Sequence, residues 1–235
     1  MYIRQFIGSL VRSFIDAAVP PTCLFCQTLL SSHEHHLCTR CWRSIPALTP
    51  GHPLLQETRA KLLEEGSVSD LVSCFVFEKS GAVQALAHSL KYDGFTTVGV
   101  VLGKKLGQVM NDRGVKGDLL IPVPLHSIKR RERGFNQAER IAAGISRVTG
   151  IPLKARALRR TRHTQTQTKL GLEERKQNVA GAFEAEDHMR PRINGAVCIL
   201  VDDVITTGAT ITSCGEALLG AGAASVLAAS AALAR

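Results

Sequence analysis

The chain has 235 residues, 45% of them hydrophobic, which allows one medium-sized globular domain plus a small module. No apolar run is long enough to span a bilayer. The net charge of +9 is concentrated, since residues 129–176 contain fourteen Lys and Arg against four Asp and Glu. A segment this basic favours phosphate, nucleic acid or another polyanion as partner; a solvated surface without a partner is the alternative.

The N-terminus predicts an amphipathic helix. Apolar residues recur from Tyr2 to Ile15 at helical spacing, with Arg4, Arg12 and Asp16 off the apolar stripe. Arg12 and Asp16 also interrupt what would be the apolar core of a signal peptide, which argues against one. We expect the helix to dock on the protein's own surface; a position on a membrane surface is the alternative.

A cysteine cluster follows, with the spacing C-x2-C-x11-C-x2-C. Its members are Cys23, Cys26, Cys38 and Cys41. Two such pairs can complete a tetrahedral thiolate shell, so the spacing predicts zinc. Sulfur fills all four positions and leaves none for water, so the metal is expected to be structural. A disulfide framework is the alternative, although nothing in the chain indicates secretion. Between the pairs lie three histidines, which could replace a ligand but are interpreted as a solvated loop: His33, His35 and His36.

Downstream of the cluster, a predicted linker divides the chain at about residue 50. Its residues are Pro46, Pro50, Gly51 and Pro53. Residues 1–49 would form the N-terminal helix and zinc module, and residues 50–235 a larger domain. In that domain the predicted strands are Leu71–Phe77, Leu119–Val123, Arg156–Leu158, Val179–Phe183, Ala196–Val201 and Ser225–Ala232. The predicted helices are Gly81–Leu90, Val98–Met110, Ala138–Val148 and one that ends at Leu219. This alternation predicts an α/β fold with a mainly parallel sheet. The remaining cysteines are expected to be small core residues: Cys74, Cys198 and Cys214.

The stretch ILVDDVITTGAT, residues 199–210, predicts a ligand site. Asp202 and Asp203 end a buried strand, and ligands of open parallel sheets bind beyond the carboxyl ends of strands. The small, hydroxyl-rich turn that follows can surround a phosphate with N–H groups, helped by the N-terminus of the next helix. The acids would repel that phosphate, but a carboxylate can accept hydrogen bonds from the two hydroxyls of a ribose. The stretch therefore predicts a site for ribose 5-phosphate.

From Cys198 to Thr210 the chain resembles the phosphoribosyl diphosphate (PRPP) signature of type I phosphoribosyltransferases. Three further features resemble the ComF family: IPVPLHSIKRRERGFNQAE at residues 121–139, the segment from Thr161 to Phe183, and the four-cysteine module. The resemblance covers nearly the whole chain. It implies a type I phosphoribosyltransferase-like parallel sheet flanked by helices, with a small N-terminal zinc-ribbon module.

The resemblance also implies the roles of site residues. Asp202 and Asp203 would hold the ribose hydroxyls and be the catalytic acids. The 5-phosphate would bind the turn of Thr206, Thr207, Gly208, Ala209 and Thr210. The diphosphate would bind a second segment, for which a basic helix cap is the alternative interpretation: Arg130, Arg131, Arg133 and Gly134. Mg²⁺ is expected with PRPP, because it neutralises diphosphate charge. The loop Arg159–Lys176 matches the mobile loop of type I enzymes, and Arg162, His163 and Lys169 could reach the diphosphate.

Two functions stay open at this point. One is an enzyme that transfers phosphoribosyl to an unidentified acceptor. The other is a cytoplasmic DNA-uptake protein of natural transformation that binds single-stranded DNA and uses PRPP as ligand or regulator, with a competence helicase as candidate partner. The basic segment favours the second function, with DNA bound by Arg159, Arg160, Arg162 and Lys169. The low aromatic content of 5% counts against it, because base stacking normally contributes to such binding.

Overall fold

The computed structural model describes residues 21–161 and 181–235. The predicted N-terminal helix lies outside these residues. So do Arg162, His163, Lys169 and most of the predicted mobile loop. In the described part of the chain, no helix is both long and apolar enough to cross a membrane.

A four-stranded parallel sheet forms the centre of the molecule, as the alternation of elements predicts. Its strands, in sheet order, are β1 (Asp70–Val76), β6 (Ser225–Leu233), β5 (Val197–Ile205) and β2 (Leu119–Pro122). The register pairs Ile121 with Leu200 and Val201 with Ala229. Because β2 ends opposite Val201, the last four residues of β5 have no partner in β2. Asp202 and Asp203 lie among these four residues.

Helices cover both faces of the sheet. They are α1 (Thr39–Arg43), α2 (Pro53–Glu64), α3 (Ala82–Tyr92), α4 (Thr96–Asp112), α5 (Ser127–Arg133), α6 (Gln137–Thr149), α7 (Arg190–Ile193) and α8 (Ala209–Leu219), with a 3₁₀ turn at Asp187–Met189. Side chains alternate along β5, so Ile199 and Val201 pack with α3, α4 and α6, whereas Cys198 and Leu200 pack with α2 and α8. Cys74, Cys198 and Cys214 are buried, which confirms them as core residues.

The helix α2 corrects the linker prediction. Pro53 does not continue a linker but opens α2 at its first position, where its missing N–H is not needed. The His52 side chain caps this helix by accepting a hydrogen bond from the Leu54 amide at 3.2 Å. The segment before this helix also contacts the sheet, because the Leu48 amide donates a hydrogen bond to the Cys74 carbonyl of β1 at 2.8 Å.

Two short strands form a separate antiparallel pair, and both are shifted from the prediction. They are β3 (Leu158–Arg160) and β4 (Phe183–Ala185), and they pair Arg159 with Glu184. The predicted strands at Arg156–Leu158 and Val179–Phe183 each overlap the observed strand by a single residue. The two strands lie on either side of the mobile-loop segment in the sequence. Their register depends on contacts between them, which the pattern of apolar and polar residues along one strand does not specify.

Candidate functional site

Asp202 and Asp203 lie at the carboxyl edge of the sheet, on opposite faces of β5. Asp203 points to the face of α3, where its Oδ2 lies 2.5 Å from the Nζ of Lys91. Asp202 shares the pocket of the following turn, which is lined by residues 202 and 204–211. The structure thus joins Asp202 directly to the predicted phosphate turn and gives Asp203 a cationic partner.

The turn after β5 has the geometry that a close backbone approach requires. Gly208 has φ of +86° and is the N-cap of α8. Thr207 Oγ1 accepts from the Ala209 amide at 3.4 Å, and Thr206 is exposed. The first N–H groups of α8 have no acceptor within the helix, and they open onto this pocket with the positive end of the helix dipole. All five predicted turn residues therefore line one concave site suited to an anion.

The helix α2 supports this turn from below. A Cβ on Gly208 would lie only 2.7 Å from Leu62 Cδ2 of α2. The Glu65 carboxylate, just after α2, accepts a hydrogen bond from the Thr212 hydroxyl of α8. The helix whose start was predicted as linker therefore fixes the position of the candidate phosphate site.

The partly buried position of Asp202 makes its ionisation unfavourable. Burial, and then the neighbouring charge of Asp203, raise the pKa of Asp202 to about 8. The Asp202 Oδ1 accepts a hydrogen bond from the Asp203 amide at 2.8 Å, which opposes this rise without cancelling it. A hydrogen-bond donor or a cation bound beside this carboxyl group would offset the lost hydration and favour its ionised form.

This raised pKa predicts the pH dependence of stability. The folded-state pKa lies above the unfolded value of about 3.9, so the contribution to stability is full below pH 4 and is lost as the pH rises through about 8. Asp202→Asn keeps an acceptor oxygen and removes the charge. We expect it to stabilise the protein at pH 8.5 by on the order of 2 kcal/mol, and hardly at all at pH 4.

Urea unfolding from pH 4 to 9 measures this effect. Asp187→Asn is the control, because the Asp187 side chain is 97% exposed and should give no comparable gain. A destabilised Asp202→Asn protein at pH 8.5, or a difference from the parent that is independent of pH, would contradict the assignment.

Lys91 is a site residue that sequence reasoning missed. It lies in the last turn of α3, and the ion pair with Asp203 brings that helix end to the carboxyl edge of β5. No motif surrounds it, and HSLKYDG has the pattern of an ordinary helix terminus. Only the register of α3 on the sheet reveals the contact.

Gln137 is a second missed residue, at the first position of α6. It is 3% exposed, and within the described residues its Nε2 has no hydrogen-bond partner. The Asn136 side chain caps the same helix by accepting from the Ala138 amide, and its Nδ2 donates to the Val123 carbonyl just beyond β2. The N-terminus of α6 and this amide therefore lie near the same edge of the sheet as the acids.

The predicted diphosphate segment lies in a short basic helix. Arg130, Arg131 and Arg133 belong to α5, whose N-cap is His126. Gly134 ends the helix in the left-handed region, with φ of +75°. The alternative of a basic helix cap thus describes its local structure. Arg130 and Arg131 are exposed, and α5 follows β2 at the carboxyl edge, so the segment remains next to the candidate site.

The predicted nucleic-acid residues that the structure describes are already engaged within the protein. Arg159 forms ion pairs with Glu184 at 2.6 Å and Glu186 at 3.9 Å. Arg160 is partly buried with its guanidinium over the Phe183 ring, and burial lowers its pKa. Arg159 therefore already has two acidic partners, and Arg160 is only partly exposed.

The four cysteines of the N-terminal module converge as their spacing predicts. Their Sγ atoms lie within 4.8 Å of one another, and those of Cys26 and Cys38 are 3.7 Å apart. Zn–S bonds of about 2.3 Å place tetrahedral sulfurs roughly 3.8 Å apart, so the set fits Zn²⁺. These cysteines are free thiols in the structure, unlike in the disulfide alternative. Hydrogen bonds from the side chain and backbone of Thr28 lower the pKa of Cys26 to about 5, whereas burial and the neighbouring thiols raise the pKa of Cys41 well above its usual range.

A parallel sheet with helices on both faces, and an acid pair followed by a glycine turn at a helix N-terminus, define the phosphoribosyltransferase type. The phosphoribosyl transferase domain family matches residues 131–235. The chain belongs to the ComF family of phosphoribosyltransferase-type proteins.

One relative is the DNA utilization protein YhgH of Salmonella typhi. It is 30% identical over 222 residues, which cover 88% of this chain and 95% of the relative. Another is competence protein F of Haemophilus influenzae, 37% identical over 101 residues, or 43% of this chain and 44% of the relative. Among solved structures, the glutamine PRPP amidotransferase of B. subtilis is 28% identical with a TM-score of 0.38, over 57% of this chain and 26% of that chain.

Proposed function

We propose that the protein binds PRPP together with Mg²⁺ at the carboxyl edge of its sheet and acts in the handling of single-stranded DNA during DNA uptake. The observation that carries the proposal is that Asp202 and the turn of residues 204–211 line the same pocket. An acid that can accept hydrogen bonds from ribose hydroxyls and a helix N-terminus that can bind a phosphate line the same pocket, which supports a ribose 5-phosphate as ligand.

Each part of PRPP has proposed partners. The turn amides and the hydroxyls of Thr206, Thr207 and Thr210 bind the 5-phosphate, while Gly208 and Ala209 leave room for its approach. Asp202 and Asp203 accept hydrogen bonds from the ribose hydroxyls. The diphosphate lies towards α5 and binds Arg130, Arg131, Arg133 and the backbone at Gly134, since arginine forks suit phosphate oxygens. Mg²⁺ neutralises diphosphate charge when it is bound, and the carboxylates of Asp202 and Asp203 are oxygen ligands of the kind that this cation accepts.

The biological role follows the relatives, one of which is called a DNA utilization protein and another a competence protein. We place the protein in the cytoplasm, where reduced thiols can hold zinc at the four-cysteine module. A competence helicase is the proposed protein partner, and co-purification with that helicase from a transformable cell tests it.

A transferase reaction is the second candidate function, because the acids and turn that bind PRPP also suit catalysis. An acceptor would displace diphosphate from the anomeric carbon, with Asp202 and Asp203 positioning the ribose. Release of diphosphate from PRPP in the presence of a panel of nucleobases and amines measures this directly. If diphosphate is released and the variant Asp202→Asn plus Asp203→Asn abolishes this release, the protein is an enzyme. If PRPP binds but no acceptor causes diphosphate release, PRPP is a ligand or regulator.

Equilibrium binding of PRPP tests the primary proposal. We expect saturable binding with Mg²⁺, and at least a hundredfold loss in Asp202→Asn plus Asp203→Asn, because both hydroxyl acceptors lose their charge. Asp187→Asn plus Glu184→Gln removes two charges from exposed positions outside the pocket and is the matched control. Equal affinity of the acid-pair variant and the parent would overturn the site.

A further inference from the structure

The surface around the C-terminus of α3 carries exposed aromatic rings that the PRPP site does not use. Tyr92 is 68% exposed and Phe95 is 46% exposed. Tyr92 is the last residue of α3 and Phe95 directly precedes α4, so both rings follow Lys91, which forms an ion pair with Asp203 of β5. Exposed ring faces of this kind can stack on a planar group of another molecule.

Tyr92 is held in position although most of its surface is free. The His88 ring packs against it with centroids 4.9 Å apart, and the Arg133 guanidinium lies 5.4 Å from its ring centroid. Phe95 is supported in a similar way by the His36 ring of the zinc module, at 6.1 Å. Rings that are pre-positioned in this manner lose little conformational freedom when a planar group stacks on them.

The same surface receives arginine side chains from α5, beside the Asp93 carboxylate at the end of α3. Arg133 contacts Tyr92 from α5, and Arg130 and Arg131 of that helix are exposed. Within residues 21–161 and 181–235, these three arginines form no ion pair with a carboxylate, unlike Arg159 with its two glutamates. Aromatic faces beside uncompensated arginines are the combination that binds single-stranded nucleic acid, because rings stack bases and arginines neutralise phosphates.

We propose that single-stranded nucleic acid binds across this surface, with bases stacked on Tyr92 and Phe95 and phosphates on Arg130, Arg131 and Arg133. The proposal deepens the proposed function by moving the nucleic-acid surface from β3 to the junction of α3, α4 and α5. The arginines are shared with the proposed diphosphate site, so a test of the surface must vary the rings.

The test measures fluorescence anisotropy of a labelled oligo-dT 20-mer over a range of salt concentrations. Tyr92→Ala plus Phe95→Ala should weaken binding by tenfold or more, since each stacked base contributes substantially. The slope of affinity against salt should stay the same, because the arginines still neutralise the same phosphates. Arg130→Ala plus Arg131→Ala should instead reduce that slope by about 0.7 for each phosphate that is no longer neutralised. Tyr92→Phe should bind almost as tightly as the parent.

The matched control is Phe25→Ala. Phe25 is an exposed ring of the zinc module that lines a pocket with Gly81 and Ala82 at the opposite end of α3. Its removal should leave oligonucleotide affinity unchanged. PRPP binding, measured on the ring variant as well, should be retained and would show that the variant is folded.

The possible results distinguish a failure of the proposed surface from a failure of the proposed function on which it rests. A parent that binds the oligonucleotide and a ring variant of equal affinity would overturn the surface but leave nucleic-acid binding intact. A parent that binds no oligonucleotide overturns the nucleic-acid part of the proposed function itself. Binding of a nucleoside monophosphate is measured on the parent and on the ring variant. If only the parent binds it and both proteins bind the oligonucleotide equally, the rings belong to an acceptor pocket and the proposal is overturned.

Discussion

Removal of the metal from the four-cysteine site is expected to lower the melting temperature of the protein by more than ~10 °C. Structural zinc contributes on the order of 10 kcal/mol to so small a module. The effect should spread beyond it, because Leu37 and Ile45 of the module pack in one hydrophobic cluster with Leu86 and Leu90 of α3. A strong chelator, followed by thermal unfolding and metal analysis, measures the effect.

Cysteine substitutions locate that effect at the site. Cys38→Ser plus Cys41→Ser should lose the zinc and melt like the chelated parent. Cys74→Ala provides the control, since Cys74 is buried in the same cluster but is not one of the four. It should keep one zinc per chain and lose only about 1 kcal/mol. Purified parent protein that contains no metal, and whose melting temperature is insensitive to the chelator, would contradict a structural zinc site.

Gly103→Ala is expected to destabilise the protein by about 3 kcal/mol or more. A Cβ at Gly103 would lie 2.0 Å from the Ile141 carbonyl oxygen of α6, and one at Gly144 would lie 2.3 Å from the Val100 carbonyl oxygen of α4. Both obstacles are backbone atoms, so the two helices would have to separate. Helix propensity favours alanine by about 1 kcal/mol and only partly offsets this cost.

A graded series of alanine variants tests this helix packing by urea unfolding. Gly107→Ala should be milder than Gly103→Ala, because its Cβ would meet the Val148 Cβ at 3.0 Å. Gly51→Ala is the control, since nothing lies within 4 Å of a Cβ there, and it should be nearly neutral. Equal stability of Gly103→Ala and Gly51→Ala would mean that α4 and α6 are not packed backbone to backbone.

The elements that the sequence predicted well are those with a strong local pattern. The apolar run of β5 ends in two acids and a glycine turn, and the structure places this stretch at the carboxyl edge of the sheet. The paired cysteines likewise carry their geometry in their spacing. Both patterns are short-range, so the alternation and spacing rules that act on a single segment are enough to predict them.

The elements that were missed depend on contacts between distant segments. The helix α2 starts with a proline and lies among other prolines, so local breaker signals outweighed its helical pattern. Lys91 reaches Asp203 only because α3 packs on that face of the sheet. The half-buried Arg160 sits over Phe183 because of strand pairing. A count of basic residues treats its charge as fully exposed, whereas the structure buries part of this side chain.

The measurement that tests the central claim most directly is calorimetric titration of PRPP with Mg²⁺ at pH 7.5, in two buffers of different ionisation enthalpy. Ribose hydroxyls or a cation at Asp202 favour its ionised form, and the pKa of about 8 means that most of the group is protonated before binding. We expect one PRPP site per chain. Binding should release a fraction of a proton, and this release should be absent in Asp202→Asn. A folded parent that shows no saturable heat, or proton release that is unchanged in Asp202→Asn, would contradict it.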